Sequence, residues 1–245
     1  MRELHPADFL GLPLYKEVKN QMVAALSASE WKPGESIPAE KLLCVRFGVS
    51  IGTLRKAIDE LVAENILIRQ QGRGTFVTVH NRGSRLFRFF NYVRQDGQKD
   101  YPQLVIERFG EAKADKVCAG KLGIAVGAKV FNIITVRGFG DEPLLVEDIK
   151  LPEAVFPRMT EAQLRSRTIP LYNQYQNDHG INVVRLEEGV RATLAAAPYA
   201  KLLKVAPGTP VLQVHRVAYS YNDQPVEYRV SYVNTEHFEY ARSVA

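Results

Sequence analysis

The chain has 245 residues, 46% hydrophobic and 24% charged, an ordinary balance for a soluble globular protein with room for two separately cored domains. No run of about 18 apolar residues occurs, which excludes a membrane-spanning helix on length, and the start M-R-E-L-H-P-A-D-F-L lacks the apolar core of a signal peptide. Cys44 and Cys118 are too few for a disulfide framework or a Cys-rich metal site, and a net charge of +5 does not by itself argue for nucleic acid; a reduced cytoplasmic protein is expected.

In chain order, residues 1–12 read as a loosely held arm. Leu14, Val18, Met22 and Leu26 recur at four-residue steps and predict a first helix. Trp31-Lys32-Pro33-Gly34 predicts a turn, and Pro38 stands just before a second helix, where its missing N–H costs little. That helix, Ala39 to Phe47, carries Leu43 and Phe47 on one face. Gly48 permits the corner, Ser50 is placed to cap a third helix, and Leu54, Ala57, Ile58 and Leu61 form its buried stripe. Ile66 to Arg69 and Thr75 to Val79 predict short strands joined by Gln71-Gly72-Arg73-Gly74. Two helices joined by a short glycine-containing turn, followed by such a hairpin, make a winged helix-turn-helix. Sequence-specific binding to double-stranded DNA is therefore expected.

The outward residues at the start of the third helix are Ile51, Gly52, Thr53, Arg55 and Lys56, where such a helix reaches base edges in the major groove. Arg55 suits a bidentate contact to guanine or a phosphate contact, and Ser50 and Thr53 suit phosphate oxygens or a base edge. At the hairpin tip Gly72 and Gly74 free the backbone, so Gln71 and Arg73 reach toward a narrow minor groove. The plain alternative is that Arg55 and Lys56 solvate a helix balanced by Asp59 and Glu60. Between Glu64 and Asp96 no acidic residue occurs, while Arg69, Arg73, Arg82, Arg85, Arg88 and Arg94 are basic. This is either the footprint of phosphate contact or a solvated linker.

His80 to Ser84 reads as the linker to a second domain. Strands are expected at Leu86–Val93, Leu104–Phe109 and Val183–Ala192, with helices at Ala114–Leu122, Pro170–His179 and Ala195–Leu203. Two hairpins are expected, Val130–Phe139 with Pro143–Lys150 and Val211–Tyr221 with Val226–Val233. Antiparallel strands with helices set between them argue an α+β domain. V-R-G-F-G-D-E-P-L-L-V-E and V-A-Y-S-Y-N-D-Q-P-V-E-Y look alike, each with Asp-x-Pro at the turn exit, which suggests a weak internal duplication.

The segments P-L-Y-K-E-V, P-G-E-S-I-P-A-E-K-L-L, F-G-V-S-I-G-T-L-R-K-A-I-D-E-L and Q-G-R-G-T-F-V resemble the DNA-binding domain of GntR-family transcriptional regulators, over about residues 12–79. The resemblance implies that Lys41 touches the phosphate backbone, that Ser50, Thr53 and Arg55 belong to the recognition helix, and that Gln71 with Gly72 forms the minor-groove wing. Ile51 departs from the arginine the family often has, and Gly52 departs too; an apolar contact from Ile51 to a thymine methyl is one substitute.

The second part resembles the UTRA ligand-sensing domain of the HutC-type branch, a chorismate-lyase-like fold, through V-R-G-F-G-D-E-P-L-L-V-E-D-I-K-L-P, P-L-Y-N-Q-Y and H-R-V-A-Y-S-Y-N-D-Q-P-V-E-Y. That resemblance implies a small effector bound by an Arg-x-Arg pair, a Glu ten residues on, and the last strands. Arg137 fits the second arginine, Thr135 stands in place of the first, and Glu147 fits the acidic position. Glu227, Tyr228 and Arg229 lie on the last hairpin; Tyr172 and Arg88, with backbone N–H groups from Ser84 to Phe89, complete the candidate set. A sugar phosphate, a carboxylate metabolite and a neutral polar effector all stay open. The plain alternative is a surface ion pair between Arg137 and Glu147 worth under about 1 kcal/mol.

The five histidines show no metal-ligand spacing, and no G-x-S-x-G, Walker loop or dinucleotide fingerprint occurs. Neither cofactor nor metal is expected, and an enzyme or plain small-molecule-binding protein on the chorismate-lyase-like fold is the alternative function. The expected organisation is a winged helix-turn-helix over 1–79, a linker over 80–84, and an effector-binding, dimerising domain over 85–245. Together these make a ligand-responsive, homodimeric repressor of a palindromic operator.

Overall fold

A computed structural model describes residues 11–79, 92–95 and 102–241. The chain divides into two compact units, Met1–Val79 and His80–Ala245.

In the first unit, α1 (Leu14–Ser27), α2 (Glu40–Phe47) and α3 (Ile51–Ala63) precede the hairpin β1 (Leu67–Gln70) and β2 (Gly74–Val77). The apolar stripes meet in one core: Val18, Met22 and Leu26 of α1, Leu43 of α2, and Leu54, Ala57, Ile58 and Leu61 of α3 are buried. Leu14 and Phe47, expected on those stripes, lie at the rim instead, Leu14 being 53% exposed. Gly48 ends α2 at φ 64°, a left-handed conformation that favours glycine, and the Ser50 hydroxyl accepts from the Thr53 N–H at 3.3 Å to start α3. The chain before α2 joins the hairpin, with Ile37 N–H donating to Thr75 O and Val77 N–H to Glu35 O, both at 2.9 Å.

In the second unit a six-stranded antiparallel sheet has the order β4-β5-β6-β9-β8-β7. Its strands are β4 (Gln103–Lys113), β5 (Lys129–Phe139), β6 (Glu142–Pro152), β7 (Arg185–Leu194), β8 (Pro210–Tyr219) and β9 (Pro225–Val233). The duplication extends beyond the hairpins. Strand β4, helix α4 (Lys116–Leu122) and the β5–β6 hairpin have a counterpart in β7, helix α7 (Ala197–Leu203) and the β8–β9 hairpin. Both hairpins shift register at the same point, at Arg137/Gly138 and at Ala218/Tyr219, and β6 pairs with β9 at the centre.

The first hairpin is the tighter: Gly138 pairs with Pro143 and Phe139 with Glu142 around Gly140 at φ 56°. A Cβ at Gly138 would lie 2.3 Å from the Glu142 carbonyl oxygen. Gly138→Ala is therefore expected to destabilise this unit by about 1–3 kcal/mol, measured by thermal unfolding, because backbone must move to admit it.

Side-chain alternation along the strands makes two unlike faces. On one, α4 packs Cys118, Ala119 and Leu122 against Val130, Val217 and Tyr228, and α7 packs Ala200 and Leu203 against Ile134, Val146 and Val211. On the other, α5 (Glu161–Arg165) and α6 (Leu171–His179) lay Leu164, Leu171 and Tyr175 over Ile106, Ile133 and Ile149. Further along, β10 (Phe238–Tyr240), paired with β3 (Tyr92–Arg94), packs Phe238 on Leu145 and Val233.

The elements differ from expectation mainly at their ends. The strand expected at Leu86–Val93 lies mostly outside the described residues. Helix α4 starts at Lys116, not Ala114, because the Asp115 carboxylate accepts from Cys118 N–H at 2.7 Å and caps it. β7 starts at Arg185 rather than Val183, which is buried as a core anchor ahead of the strand. Helix α5 and strand β10 were not anticipated; α5 has only five residues, too few to show a period.

Candidate functional site

Two sets of residues are brought into place, one in each unit. In the first, Lys41, Ser50, Ile51, Gly52, Arg55, Lys56, Gln71, Gly72 and Arg73 are all exposed and Thr53 is half-buried, so the core consumes none of them. The Ser50 hydroxyl is engaged as the α3 cap and lies 3.0 Å from the Thr53 hydroxyl. Arg55 donates from Nε to Glu40 Oε2 at 2.9 Å, which holds the guanidinium by one edge, and its terminal nitrogens have no ion-pair partner among the described residues. Glu40 is thus a positioning residue that inspection of the sequence missed, since it lies fifteen residues away on another helix. Lys56 places its ammonium 4.0 Å above the Tyr15 ring, so it is partly committed to α1, whereas Lys41 has no ion-pair partner among the described residues. At the hairpin, Gly72 at φ 71° and Gly74 at φ 116° make the tip, and Arg73 leans on Phe76. Arg69 pairs with Asp59 at 2.6 Å.

In the second unit a charged chain lies on the sheet face that carries α5 and α6, between their apolar cluster and that of β10. Thr135 pairs with Glu147 across β5–β6, Glu147 with Ser231 and Ile149 with Arg229 across β6–β9, and Arg229 with Arg216 across β9–β8. The Glu147 carboxylate accepts from Thr135 Oγ1 and Arg137 Nε, both at 2.9 Å, and from Arg229 Nη1 at 2.5 Å. Arg229 also grips Glu227 through Nε at 2.8 Å and Nη2 at 2.9 Å, a two-toothed pair. Glu227 in turn accepts from the Tyr172 hydroxyl at 3.0 Å and the Tyr175 hydroxyl at 2.7 Å. Beside them Arg216 donates from Nε to Glu188 at 2.7 Å, and Tyr240 donates to the other Glu188 oxygen at 2.8 Å.

Burial separates this network from a surface bridge: Glu147 is 5% exposed, Arg229 3% and Glu227 0%. Burial alone would raise the Glu147 pKa, but the charges of Arg137 and Arg229 hold it well below the usual carboxylate range. For Arg229, burial lowers the pKa and the carboxylates of Glu147 and Glu227 more than restore it. Burial, with the Glu227 charge behind it, pushes Tyr172 up to about 12, so its hydroxyl stays a donor. Arg137, with 23% of its side chain exposed, is where the network meets solvent.

Of the expected effector residues, Arg137, Glu147, Tyr172, Glu227 and Arg229 are joined in this one network. Tyr228 is not. One residue along from Glu227, it points to the opposite face, packs under α4 and bonds to His215 Nδ1 at 2.9 Å. Arg88 lies outside the described residues, as do Arg82, Arg85 and the backbone from Ser84 to Phe89. Tyr175, Arg216 and Glu188 were missed; Tyr175 carried a signal in its three-residue spacing from Tyr172, whereas Arg216 and Glu188 depend on sheet register.

Residues 14–77 match the bacterial regulatory proteins of the gntR family, and residues 98–239 match the UTRA domain. The chain is 31% identical over 216 residues, 87% of each chain, to an Escherichia coli (strain K12) protein named "Probable fructoselysine utilization operon transcriptional repressor". It is 30% identical over 214 residues to the histidine utilization repressor of Pseudomonas aeruginosa, covering 85% of this chain and 82% of that one. Among solved structures, the ligand-binding domain of a GntR-family transcriptional regulator from Bordetella bronchiseptica matches with a TM-score of 0.59 at 29% identity, covering 63% of this chain and 96% of that one. A winged reading head, a second unit built on a buried charged network, and these likenesses agree: the chain belongs to the GntR family of bacterial regulatory proteins, as a DNA-binding, ligand-responsive transcriptional regulator of the UTRA-containing, HutC-type branch.

Proposed function

We propose that the chain is a repressor that leaves its operator when a small metabolite enters the second unit. Residues 1–79 read the operator, 80–84 link, and 85–245 bind the effector and dimerise. The observation that supports the effector site best is the buried Arg137–Glu147–Arg229–Glu227 chain, which places polar groups on one sheet face and ends at a partly exposed guanidinium. A sugar phosphate or a carboxylate metabolite suits that guanidinium. Repression accords with the names of the relatives, both of them repressors. A homodimer accords with the few bases one recognition helix reads and with a palindromic operator. The protein works in the cytoplasm, where the DNA is; no described helix is long and apolar enough to cross a membrane.

Effector binding changes operator affinity by a coupling of about 1–3 kcal/mol in this scheme. Arg137→Ala is expected to keep operator binding and to lose its release by the inducing metabolite, read by gel shift and reporter induction. A normally inducible variant would remove Arg137 from the site. A chain that sediments as a monomer while bound to its operator would defeat the dimer.

A further inference from the structure

The charged network leaves one cation unanswered. Arg137, Arg216 and Arg229 face the carboxylates of Glu147, Glu188 and Glu227. A fourth guanidinium, Arg167, has no carboxylate partner among the described residues; its one hydrogen bond runs from Nη1 to the Leu164 carbonyl at 3.1 Å.

Arg167 stands in the turn between α5 and α6, and that turn is pinned to the sheet. Arg165 Nη1 donates to Ile106 O at 2.7 Å, and Gln174 Nε2 donates to Gln163 O at 3.1 Å. In the sheet Ile106 pairs with Thr135, and Leu104 with Arg137. The turn therefore sits by the stretch of β5 that carries Thr135 and Arg137. Thr135 is small, 2% exposed, and committed to Glu147. Arg137 commits its Nε to Glu147, and among the described residues its two terminal nitrogens have no hydrogen-bond partner. Both Arg137 and Arg167 are half-buried, reachable from solvent yet shielded enough for a charge-assisted bond to count. Burial lowers the Arg167 pKa from its usual value and the Arg137 charge lowers it further, with Tyr175 and the Glu147 carboxylate pulling the other way, so the balance still disfavours the charge and an added anion would favour it.

We propose that Arg167 and Arg137 together clamp the oxyanion of the effector, a phosphate or carboxylate group. Arg167 then brings from the α5–α6 turn the guanidinium that Thr135 does not supply from β5. This rests on the effector site described above, and it adds a specificity-determining residue on a different element.

The test is a titration of the full chain at constant ionic strength, with inorganic phosphate in one arm and acetate in the other, followed by calorimetry and thermal shift. At least one anion is expected to bind and stabilise the parent chain, and equally Lys201→Ala, whose lost charge is an exposed one on α7. Arg167→Ala is expected to weaken that anion by roughly 10- to 100-fold, with part of the affinity kept in Arg167→Lys. The far-ultraviolet spectrum and operator gel shift of Arg167→Ala should match the parent, which separates a lost ligand contact from a lost fold. The phosphate arm responding alone assigns a phosphorylated effector, and the acetate arm alone a carboxylate. Undiminished affinity in Arg167→Ala alongside loss in Arg137→Ala overturns this inference and leaves the effector site standing. Undiminished affinity in both variants, or no response of the parent to either anion, overturns both.

Discussion

Replacing Arg55 by alanine is expected to abolish operator binding while leaving the fold and the effector response intact. Arg55 is 59% exposed on its side chain, and its ion pair with Glu40 is a surface one, so its removal alters stability by under about 1 kcal/mol. Its value lies in geometry. Glu40 holds Nε, and among the described residues the outer fork of the guanidinium has no partner, as the proposed contact to guanine O6 and N7 or to a phosphate needs. One such bidentate contact is worth about 1–3 kcal/mol, and in the proposed dimer two copies would double it. The check is a gel shift at fixed salt, on a duplex selected by the parent chain from a random pool. Affinity equal to the parent's would remove Arg55 from the interface. Glu40→Gln should fall between the two, because it loosens the aim of the guanidinium without removing it.

The second large effect is expected from Arg229→Ala, which should destabilise the second unit by about 3–5 kcal/mol. A buried ion pair adds little net stability when complete, because desolvation of both partners offsets their attraction. Breaking it leaves charge behind in a poorly solvated place. Here the loss strands the buried Glu227 carboxylate and takes from the buried Glu147 one of its two cations. Urea unfolding of parent and variant measures the difference, and a loss below about 1 kcal/mol would mean that water reaches the network freely.

The pH dependence carries its own sign. Glu147 has a lowered folded-state pKa in the parent. Its contribution is therefore fully present above the ordinary carboxylate pKa and is lost as pH falls below that value. In Arg229→Ala, Glu147 loses one of its two cations, so burial pushes its pKa upward, and protonation on acidification relieves the penalty. The stability gap between the two proteins should accordingly narrow from about pH 7 to about pH 4. A gap that widened over that range would contradict the ionised state of Glu147.

Much of this architecture was legible from local pattern. Leu54, Ala57, Ile58 and Leu61 announced the buried stripe of α3, Gly48 and Ser50 its boundaries, and Gly72 and Gly74 the wing tip. These signals are short-range: helical period, left-handed backbone and capping are decided by residues a few positions apart. The resemblance of the hairpins likewise pointed to a duplicated unit, and β4-α4-β5-β6 and β7-α7-β8-β9 extend it.

The sequence by itself determined the helix-turn-helix, the wing with its outward Arg55, the α+β character of the second part, and Arg137 and Glu147 as neighbours across one hairpin. Only the tertiary structure decided the rest of the site. Glu147 and Arg229 are 82 residues apart, and they meet because β6 and β9 are the central neighbours of the sheet in a register that sets Ile149 beside Arg229. That same register sends Tyr228 to the far face and sets Arg216 beside Arg229, while the Arg165 bond to Ile106 O pins the α5–α6 turn on β4, the neighbour of the strand that carries Arg137. Strand order and register are chosen by the burial of whole faces, a sum over the domain that no short window of residues contains.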